Sequence, residues 1–302
     1  MAKVFIDGSA GTTGLRIYER LEDRKDIELI RLSEELRKDT QARREALGRA
    51  DIAFLCLPDD AAREAVSLIE NNTTAVIDTS TAHRTAGGWV YGMPQLTGQR
   101  EKIAASKRIA NPGCHAGGFI ALVAPLVQAG VIDQSAKLSC FSLTGYSGGG
   151  KKMIAQYEDV EGEPLLEAPR MYGLTQTHKH LPEMQQICGL EHAPVFCPVV
   201  APFYAGMQVT VPLTDTDPET VKNVYRGYYT NGLIRFSEAE ESGFLSAGAF
   251  AGKDNMTVSV FGNCERLTLV ARFDNLGKGA SGAALECLNI VLGNEKTANL
   301  DI

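Results

Sequence analysis

Residues 3–23 read KVFIDGSAGTTGLRIYERLED and combine a short apolar run, a glycine loop and an amphipathic segment. The run KVFID is typical of a buried strand. Residues 11–23 have the spacing of a helix that places Leu15, Tyr18 and Leu21 on one face. A strand, a glycine turn and a helix in direct succession predict the start of a β-α-β unit.

The same alternation continues beyond this stretch. Strands are predicted at 27–32, 51–58 and 74–80, and a helix at 59–72. Nearly continuous apolar strands separated by helices indicate a parallel sheet that is covered on both faces. We therefore predict that the N-terminal domain has an α/β fold.

The glycine loop joins the first predicted strand to the first helix and contains Gly8, Gly11 and Gly14. Glycine lets backbone amides approach a pyrophosphate, which then lies at the positive end of the helix. The sequence therefore predicts a Rossmann-like dinucleotide-binding domain, and a turn needed only for tight packing is the alternative. The predicted cofactor contacts in this loop are Gly8, Ser9, Gly11, Thr12, Thr13 and Gly14.

The residues at the end of the second predicted strand indicate whether NAD(H) or NADP(H) is bound. A carboxylate there would hold a free ribose 2′-hydroxyl. This chain has Arg31 and Ser33 instead, which favours a 2′-phosphate and therefore NADP(H). A solvated surface arginine is the alternative interpretation of Arg31.

Composition limits the classes of function. The chain has 302 residues and a formal net charge of −7, which argues against a nucleic-acid-binding surface. No apolar run reaches the roughly 18 residues of a membrane span, and no signal-peptide hydrophobic region precedes the first strand. Seven scattered cysteines without a C-x-x-C pair indicate reduced thiols. We therefore expect a cytoplasmic protein that binds neither nucleic acid nor membrane.

The pattern changes in the second part of the chain. A buried helix is predicted at 117–132 despite Pro125, and another helix at 217–232 with Asp217 as its N-cap. Strand-rich stretches lie at 136–150, 193–213 and 255–275. Strands gathered in this way predict a second, α+β domain with a mixed or antiparallel sheet.

Cys114 stands in the stretch ANPGCHAGG (110–118), after turn residues and before the predicted helix. A thiolate at a helix N-terminus is stabilised by the unpaired amides, which can also hold an oxyanion formed when sulfur attacks a carbonyl. Cys114 is therefore a candidate nucleophile. A small turn residue without chemistry is the alternative.

Histidines could supply the proton partner that a cysteine nucleophile needs. The stretch THKHLPEM (177–184) contains His178 and His180. Because further ligands at suitable spacing are missing, we interpret this pair as acid–base groups and predict no metal. His115 and His192 are interpreted as bystanders, and His83 could face the cleft.

A phosphate-binding group could come from GYSGGGKK (145–152), which has a glycine loop followed by Lys151 and Lys152. Arg84 is a further cationic candidate. Backbone amides and a fixed cation suit a phosphate dianion. A flexible loop leading into a solvated helix is the alternative.

Five motifs, GSAGTTG, ANPGC, GYSGGGKK, THKHLPE and DNLGKGASGAA, follow one another in the order seen in the semialdehyde dehydrogenase superfamily. The chain resembles most closely the short-form N-acetyl-γ-glutamyl-phosphate reductases. This resemblance implies an enzyme of arginine biosynthesis in which NADPH reduces N-acetyl-L-glutamyl 5-phosphate, a small acyl phosphate, to the 5-semialdehyde and phosphate. It also implies a homodimer or homotetramer.

The resemblance further implies roles for individual residues. Cys114 would form a thioester, and His178 or His180, with a slight preference for His178, would move the proton. The remaining implied residues are Tyr172 and Glu183 in the substrate pocket, with Arg84 and Lys151 as further substrate contacts, Ser147 and Gly148 near the cofactor, and Asn275 and Gly277 in a segment returning to the nucleotide domain. The implied domains are 1–112 with 276–302 for the dinucleotide, and 113–275 for catalysis and oligomerisation.

Two kinds of alternative remain at this point. One is another acyl-phosphate reductase, such as aspartate-semialdehyde dehydrogenase or N-acetyl-aminoadipyl-phosphate reductase, in which the cysteine chemistry is unchanged. The other is an NADP-binding regulatory protein without catalysis.

Overall fold

The computed structural model describes residues 1–159, 163–230 and 232–302. They form two compact units, Met1–Pro112 with Ala280–Leu300, and Gly113–Gly279 with Asp301–Ile302. We expected the chain to return to the first domain at residue 276, whereas the first unit resumes at Ala280.

The sheet of the first unit contains, within the described residues, six parallel strands. These are β1 (Ala2–Asp7), β2 (Ile27–Ile30), β3 (Ile52–Leu55), β4 (Ala75–Asp78), β5 (Val90–Tyr91) and β6 (Arg108–Ala110). Their order is β2-β1-β3-β4-β6-β5, so the chain starts one strand from an edge, adds β2 at that edge and builds the other strands outward on the opposite side of β1. This is the doubly wound α/β arrangement, and the predicted fold of the first domain is confirmed.

The sheet of the second unit is mixed. Its described strands are β7 (Ser139–Gly145), β8 (Arg170–Met171), β9 (Val195–Ala201), β10 (Met207–Thr214), β11 (Ile234–Phe236), β12 (Met256–Gly262) and β13 (Arg266–Phe273), in the order β11-β12-β13-β10-β7-β9-β8. The pairs β7–β9 and β11–β12 are parallel, and the other neighbours are antiparallel. The two strands predicted around a turn within 255–275 are β12 and β13.

The helices of the described residues are α1 (Thr12–Leu21), α2 (Thr40–Arg49), α3 (Asp59–Ser67), α4 (Gln99–Ala105), α5 (Cys114–Gln128), α6 (Gly150–Glu158), α7 (Leu181–Cys188), α8 (Pro218–Tyr228) and α9 (Gly282–Leu292). The predicted N-cap of α8 is confirmed, because the Asp217 side chain accepts a hydrogen bond from the Thr220 amide. In the part of the chain that the structure describes, no helix is long and apolar enough to span a bilayer.

The core of the first unit follows from the alternation of strand side chains. In β1, Val4 and Ile6 belong to an apolar cluster with residues of α1, α4 and α9, while Phe5 belongs to a second cluster with residues of α2 and α3. Successive residues of a strand point to opposite faces, so each face receives its own helical layer.

One sequence prediction about α1 is wrong. Leu15 was placed on the buried face with Leu21, but 43% of Leu15 is exposed. The buried residues are Gly14, Ile17 and Leu21, whose spacing of three and four positions defines the face toward the sheet. Leu15 is therefore next to the buried stripe of α1 and does not belong to it.

Helix α5 is buried over nearly its whole length and includes Pro125. Proline has no amide hydrogen, so the Ala121 carbonyl lacks its usual donor four residues ahead. The Tyr229 hydroxyl donates to that carbonyl oxygen at 2.6 Å, and the Tyr225 hydroxyl donates to the Leu122 oxygen at 2.6 Å. These tyrosines near the end of α8 explain how α5 tolerates a proline in the core.

Close packing of α5 on its sheet depends on a glycine. A Cβ atom at Gly118 would lie 2.5 Å from Val209 Cγ2 and 2.8 Å from a ring carbon of Phe273. The helix therefore approaches β10 and β13 more closely than any side chain at this position would allow. It begins at Cys114, three residues before the predicted start at residue 117.

Candidate active site

The glycine loop of the first unit is shaped by close backbone contacts. Gly8 has φ of 89°, and a Cβ there would lie 2.3 Å from the Cys56 carbonyl oxygen. A Cβ at Gly14 would lie 2.4 Å from the Gly8 oxygen, whereas at Gly11 the nearest atom is 3.4 Å away. Tight packing therefore explains two of the three glycines, and it brings the loop backbone to the start of α1.

The start of α1 fits an anionic ligand. Gly11 is its N-cap and has no side chain to occupy the first amides, which leaves the positive end of the helix open. Thr12 Oγ1 is shielded from solvent and has no hydrogen-bond partner among the described residues. An orphaned hydroxyl beside an uncapped helix start is what a bound phosphate group would satisfy. The segment 8–14, with Ser9 and Thr13, therefore fits a dinucleotide.

A pocket of about 440 Å³ continues from this loop. Its lining includes Gly8, Ser9, Tyr18, Arg31, Arg37 and Lys38. The Arg31 guanidinium lies over the Tyr18 ring, 5.1 Å from its centre, and Arg37 pairs with Glu34 at 2.6 Å. Three cations on one pocket suit the 2′-phosphate of NADP(H).

The details of this pocket differ from the sequence interpretation. Ser33 is exposed, and its carbonyl oxygen accepts the amides of Leu36 and Arg37. Sequence reasoning missed Arg37 and Lys38, although the basic pair stands only a few residues after the second strand. The turn that Ser33 closes brings them back to the pocket.

A buried ion pair stabilises the end of β1, from which the glycine loop begins. The Arg43 guanidinium contacts Asp7 Oδ2 at 3.0 Å, and both side chains are at most 8% exposed. Burial raises the pKa of Asp7, because the loss of solvent outweighs the opposing effect of Arg43. Asp7 directly precedes Gly8, so this pair anchors the end of β1 where the glycine loop begins.

In the second unit, Cys114 is the first residue of α5 and is half-buried. The preceding amide of Gly113 donates to Glu183 Oε1 at 2.7 Å, and Glu183 is 1% exposed in the first turn of α7. A Cβ at Gly279 would lie 2.9 Å from the Cys114 Cβ. The backbone around the thiol is thus fixed from two sides, and the first amides of α5 start at the sulfur-bearing residue.

The two predicted histidines lie together in the second unit. The His178 and His180 rings meet edge to face, with centroids 4.8 Å apart. The His180 amide donates to His178 Nδ1 at 3.3 Å, so the neutral His178 ring carries its proton on Nε2. Burial and the neighbouring Lys179 lower the pKa of His178. His178 is therefore a neutral imidazole with a donor N–H at neutral pH.

His115 was interpreted as a bystander, but it lies within this cluster. Its ring centroid is 5.5 Å from that of His180 and 6.0 Å from that of His178. Nδ1 lies 2.6 Å from Ser142 Oγ, and Nε2 lies 2.7 Å from the Tyr172 hydroxyl. Burial, and next the nearby Cys114, raise the pKa of Tyr172. Cys114, Tyr172 and the three histidines therefore form one group.

The other sequence candidates have other surroundings. Arg84 lies in the first unit, where its guanidinium donates to the carbonyl oxygens of Asn111 at 2.9 Å and Thr79 at 3.1 Å. His83, also in the first unit, contacts Asp78 at 2.6 Å and stacks on Trp89. Lys151 is exposed in the first turn of α6.

The second group of predicted cofactor residues lies in the second unit. Asn275 Nδ2 donates to the buried Ser147 Oγ at 3.0 Å, and Asn275 Oδ1 accepts the Gly206 amide at 3.0 Å. A Cβ at Gly148 would lie 3.5 Å from Asn275 Nδ2, and one at Gly277 would lie 2.0 Å from the Lys253 oxygen. Asn275 thus ties the glycine loop after β7 to the end of β13.

Both units match known protein families. Residues 3–106 match the NAD binding domain of semialdehyde dehydrogenase, and residues 114–275 match its dimerisation domain. Solved structures agree in fold: aspartate semialdehyde dehydrogenase II from Vibrio cholerae has a TM-score of 0.71 at 17% identity, covering 97% of this chain and 99% of that one. The enzyme from Francisella tularensis has a TM-score of 0.72 at 15% identity, with coverages of 97% and 100%. Fold and site therefore define the semialdehyde dehydrogenase class.

Sequence relatives narrow this class. N-acetyl-gamma-glutamyl-phosphate reductase 2 of Nostoc sp. is 45% identical over 96% of this chain and 97% of its own length. The reductase of the same name from Brucella anthropi is 47% identical, with coverages of 96% and 98%. The chain belongs to the N-acetyl-γ-glutamyl-phosphate reductase family. The resemblance found in the sequence and the predicted class of nicotinamide-dependent oxidoreductase are confirmed.

Proposed function

We propose that this protein uses NADPH to reduce N-acetyl-L-glutamyl 5-phosphate to N-acetyl-L-glutamate 5-semialdehyde and phosphate, a step of arginine biosynthesis. The substrate follows from relatives of 45–47% identity that span nearly the whole chain. The observation that carries the mechanism is the position of Cys114 at the first residue of α5, beside Tyr172 and the histidines.

The first step belongs to Cys114. Its sulfur forms a bond to the acyl carbon, and the carbon–oxygen bond to phosphate breaks, so phosphate leaves with that electron pair. The amides at the start of α5 stabilise the oxyanion that forms on the way. Glu183 supports this geometry by holding the Gly113 amide, which keeps the helix start in place. The product is a thioester on Cys114.

NADPH, when bound, supplies the hydride that reduces the thioester. The proposed contacts on the first unit are the segment Gly8–Gly14 and, in the adjoining pocket, the cations Arg31, Arg37 and Lys38. On the second unit, His178 donates from Nε2 to the oxygen of the acyl group and takes the proton back. The carbon–sulfur bond then breaks, sulfur keeps the electron pair, and the aldehyde is released.

Substrate assays in the reverse direction test this proposal. Purified protein is given phosphate, NADP⁺ and either N-acetylglutamate semialdehyde or aspartate semialdehyde, and NADPH formation is followed. We expect a clear preference for the acetylated substrate. Comparable or better turnover of aspartate semialdehyde would assign the chain to another acyl-phosphate reductase.

A cysteine variant tests the mechanism. Cys114→Ala is expected to abolish turnover while leaving the affinity for NADPH unchanged, because the thiol lies in the other unit from the glycine loop. The exposed Cys264→Ala serves as the control. Full activity of Cys114→Ala would exclude the thioester, and inactivity of both variants would point to a folding defect.

We also infer that one face of the second sheet mediates self-association into a homodimer or homotetramer. Phe141, Met171 and Val195 are 57%, 52% and 58% exposed on β7, β8 and β9. These neighbouring strands present them on the same face, and a large uncovered apolar face is typical of an interface. The match to a dimerisation domain supports this inference. Light scattering of wild type and Phe141→Glu tests it, and a monomeric wild type would contradict it.

The proposed location is the cytoplasm. All seven cysteines are free thiols, which is the state that a reducing compartment maintains. Fractionation of cells with an antibody to the protein tests this location, and recovery in an extracytoplasmic fraction would contradict it.

A further inference from the structure

The buried partners of Tyr172 have no role in the steps derived so far. His115 is 3% exposed and joins Ser142 to Tyr172 through its two ring nitrogens. We propose that His115 is a positioning residue, which, together with Ser142, directs the Tyr172 hydroxyl hydrogen toward the acyl group held on Cys114. This inference rests on the proposed function and adds two residues to its site.

The donor and the acceptor in each hydrogen bond between Ser142, His115 and Tyr172 can be assigned. Ser142 is fully buried, and within the described part of the chain His115 is the partner of its hydroxyl. A buried hydroxyl whose hydrogen finds no acceptor destabilises the folded protein. Ser142 therefore donates to Nδ1 of His115, which makes Nδ1 the acceptor nitrogen of the ring.

The charge state of His115 then decides what Tyr172 can do. Burial, and next the neighbouring His178, lower the pKa of His115 to about 3, so the ring is neutral at neutral pH. A neutral imidazole that accepts at Nδ1 carries its proton on Nε2. Nε2–H therefore donates to the Tyr172 oxygen, and the phenol hydrogen is left to donate elsewhere.

The Tyr172 hydroxyl lies close enough to the thiol for Cys114 to affect its ionisation. The Tyr172 amide donates to the Pro198 carbonyl oxygen, and among the described residues His115 is the hydrogen-bond partner of the Tyr172 phenol. A phenol that stays protonated and points its hydrogen into the site is a donor for the oxygen of the acyl group. It would act with the amides of α5 on the charge that develops there.

The ring of His115 is also held by shape. Phe196 meets it edge to face with centroids 5.3 Å apart, and the His180 ring lies on another side. The imidazole therefore has little freedom to rotate away from its two partners. Ser142, on β7, sets the tautomer, and the helix start that carries Cys114 also carries His115 as its next residue.

The experiment compares single and double variants in the reverse assay. Removing one oxyanion donor lowers kcat about 100-fold or more, so we expect that loss for Tyr172→Phe. His115→Phe should lose a similar amount, with the KM for NADP⁺ unchanged. Because both act through one hydroxyl, the double variant His115→Phe/Tyr172→Phe should be no slower than Tyr172→Phe alone. Multiplying effects in the double variant would overturn the inference.

Further variants distinguish a positioning role of His115 from a purely structural one. Glutamine retains one donor and one acceptor, so His115→Gln should recover part of the kcat that His115→Phe loses. The exposed His192→Phe is the matched control and should retain wild-type kcat. Tyr172→Phe keeps the ring and removes only the hydroxyl, so it remains a test if His115→Phe does not fold. Wild-type kcat in folded Tyr172→Phe would overturn the inference.

The assay also distinguishes this inference from the proposed function. Wild type that prefers aspartate semialdehyde would contradict the proposed substrate, and the His115 and Tyr172 variants would then be compared on that compound. Wild type that is active on the acetylated substrate together with a fully active His115→Phe would overturn the positioning role alone. Wild type inactive on both semialdehydes would overturn both.

Discussion

Helix α1 of the first unit and helix α5 of the second both begin after a glycine N-cap, Gly11 and Gly113, and neither has an acidic side chain in its first turn. Around the start of α1, the pocket carries the cations Arg31 and Arg37. Around the start of α5 lie a thiol and buried imidazoles. The same backbone arrangement therefore suits a permanent anion where cations surround it and, in the proposed mechanism, a transient oxyanion where the surroundings are neutral.

The supports of the two helix starts also differ. The loop before α1 is shaped by backbone contacts that exclude side chains at Gly8 and Gly14. The start of α5 is held by side-chain hydrogen bonds: Glu183 accepts the Gly113 amide, and the His115 ring contacts Ser142 and Tyr172. Five predictions sharpen this comparison of the two units, from the largest expected effect to the smallest.

The largest effect is expected from Arg43→Ala. It leaves Asp7 buried without its ion-pair partner beneath the glycine loop. Breaking such a pair costs about 3–5 kcal/mol in the free energy of unfolding. Urea denaturation measures it, with Arg44→Ala as the control, because Arg44 pairs with Glu70 at the surface, where the cost stays within about 1 kcal/mol. Equal losses in the two variants would show that the buried pair does not support the loop.

The second prediction concerns the backbone contacts of the loop. In Gly8→Ala, the methyl group meets the Cys56 carbonyl oxygen, and φ of 89° is unfavourable for alanine. Strain and overpacking together should cost about 2–4 kcal/mol and weaken NADPH binding. Gly11→Ala, with φ of −76°, should cost no more than about 1 kcal/mol. A neutral Gly8→Ala would remove the packing explanation.

The third prediction addresses the proline in α5. Tyr229→Phe leaves the buried Ala121 carbonyl without a donor, which should cost about 1–3 kcal/mol in thermal unfolding. Tyr225→Phe is the matched comparison, because the Leu122 carbonyl retains its place in the helical ladder, and a smaller loss is expected. If Tyr225→Phe is the more damaging variant, the hydroxyl of Tyr229 does not replace the missing amide.

The fourth prediction concerns the charge around α1. Arg31→Ala or Arg37→Ala should raise the Kd of NADPH about tenfold, the value of one charge-assisted contact, and leave the Kd of NADH unchanged. Isothermal titration with both nucleotides measures this difference. The exposed Arg49→Ala should change neither affinity. An equal weakening for NADPH and NADH would show that these cations do not recognise a 2′-phosphate.

The smallest effect is expected in a pH profile. Lys179 lowers the pKa of His178, together with the larger effect of burial. Removing this charge in Lys179→Ala should raise that pKa, so the acidic limb of the rate profile moves to higher pH by a fraction of a unit. The exposed Lys137→Ala should leave the limb unchanged. A shift toward lower pH would contradict the assignment of this limb to His178.

The local pattern of the chain predicted the elements around both helix starts. Alternation of apolar strands and helices predicted the parallel sheet, and KVFID with its glycine loop became β1 and the start of α1. The Asp217 cap and the strand pair within 255–275 were also predicted, because capping and alternation are local signals. The face of α1 was misjudged at Leu15, since tertiary packing decides which of two adjacent stripes is buried.

The group formed by Cys114, Tyr172 and the three histidines was less predictable. His115 is adjacent to Cys114, yet its partners Ser142 and Tyr172 are 27 and 57 residues away, and no local pattern reveals such contacts. One signal was present: in SCFSLTG, alternation places Ser142 on the buried face of a strand, where a polar residue needs a partner. Arg37 and Lys38 could not be assigned to the pocket from the sequence, because it is the turn after Ser33 that brings them there.

The glycine beside the nucleophile has a consequence for protein engineering. Position 279 already carries the smallest residue, and its neighbour across the gap is the Cβ of Cys114 itself. No substitution there can enlarge the space beside Cys114, because every other residue carries a Cβ atom that would meet the Cβ of Cys114. Attempts to broaden the range of acyl groups must therefore change residues other than Gly279.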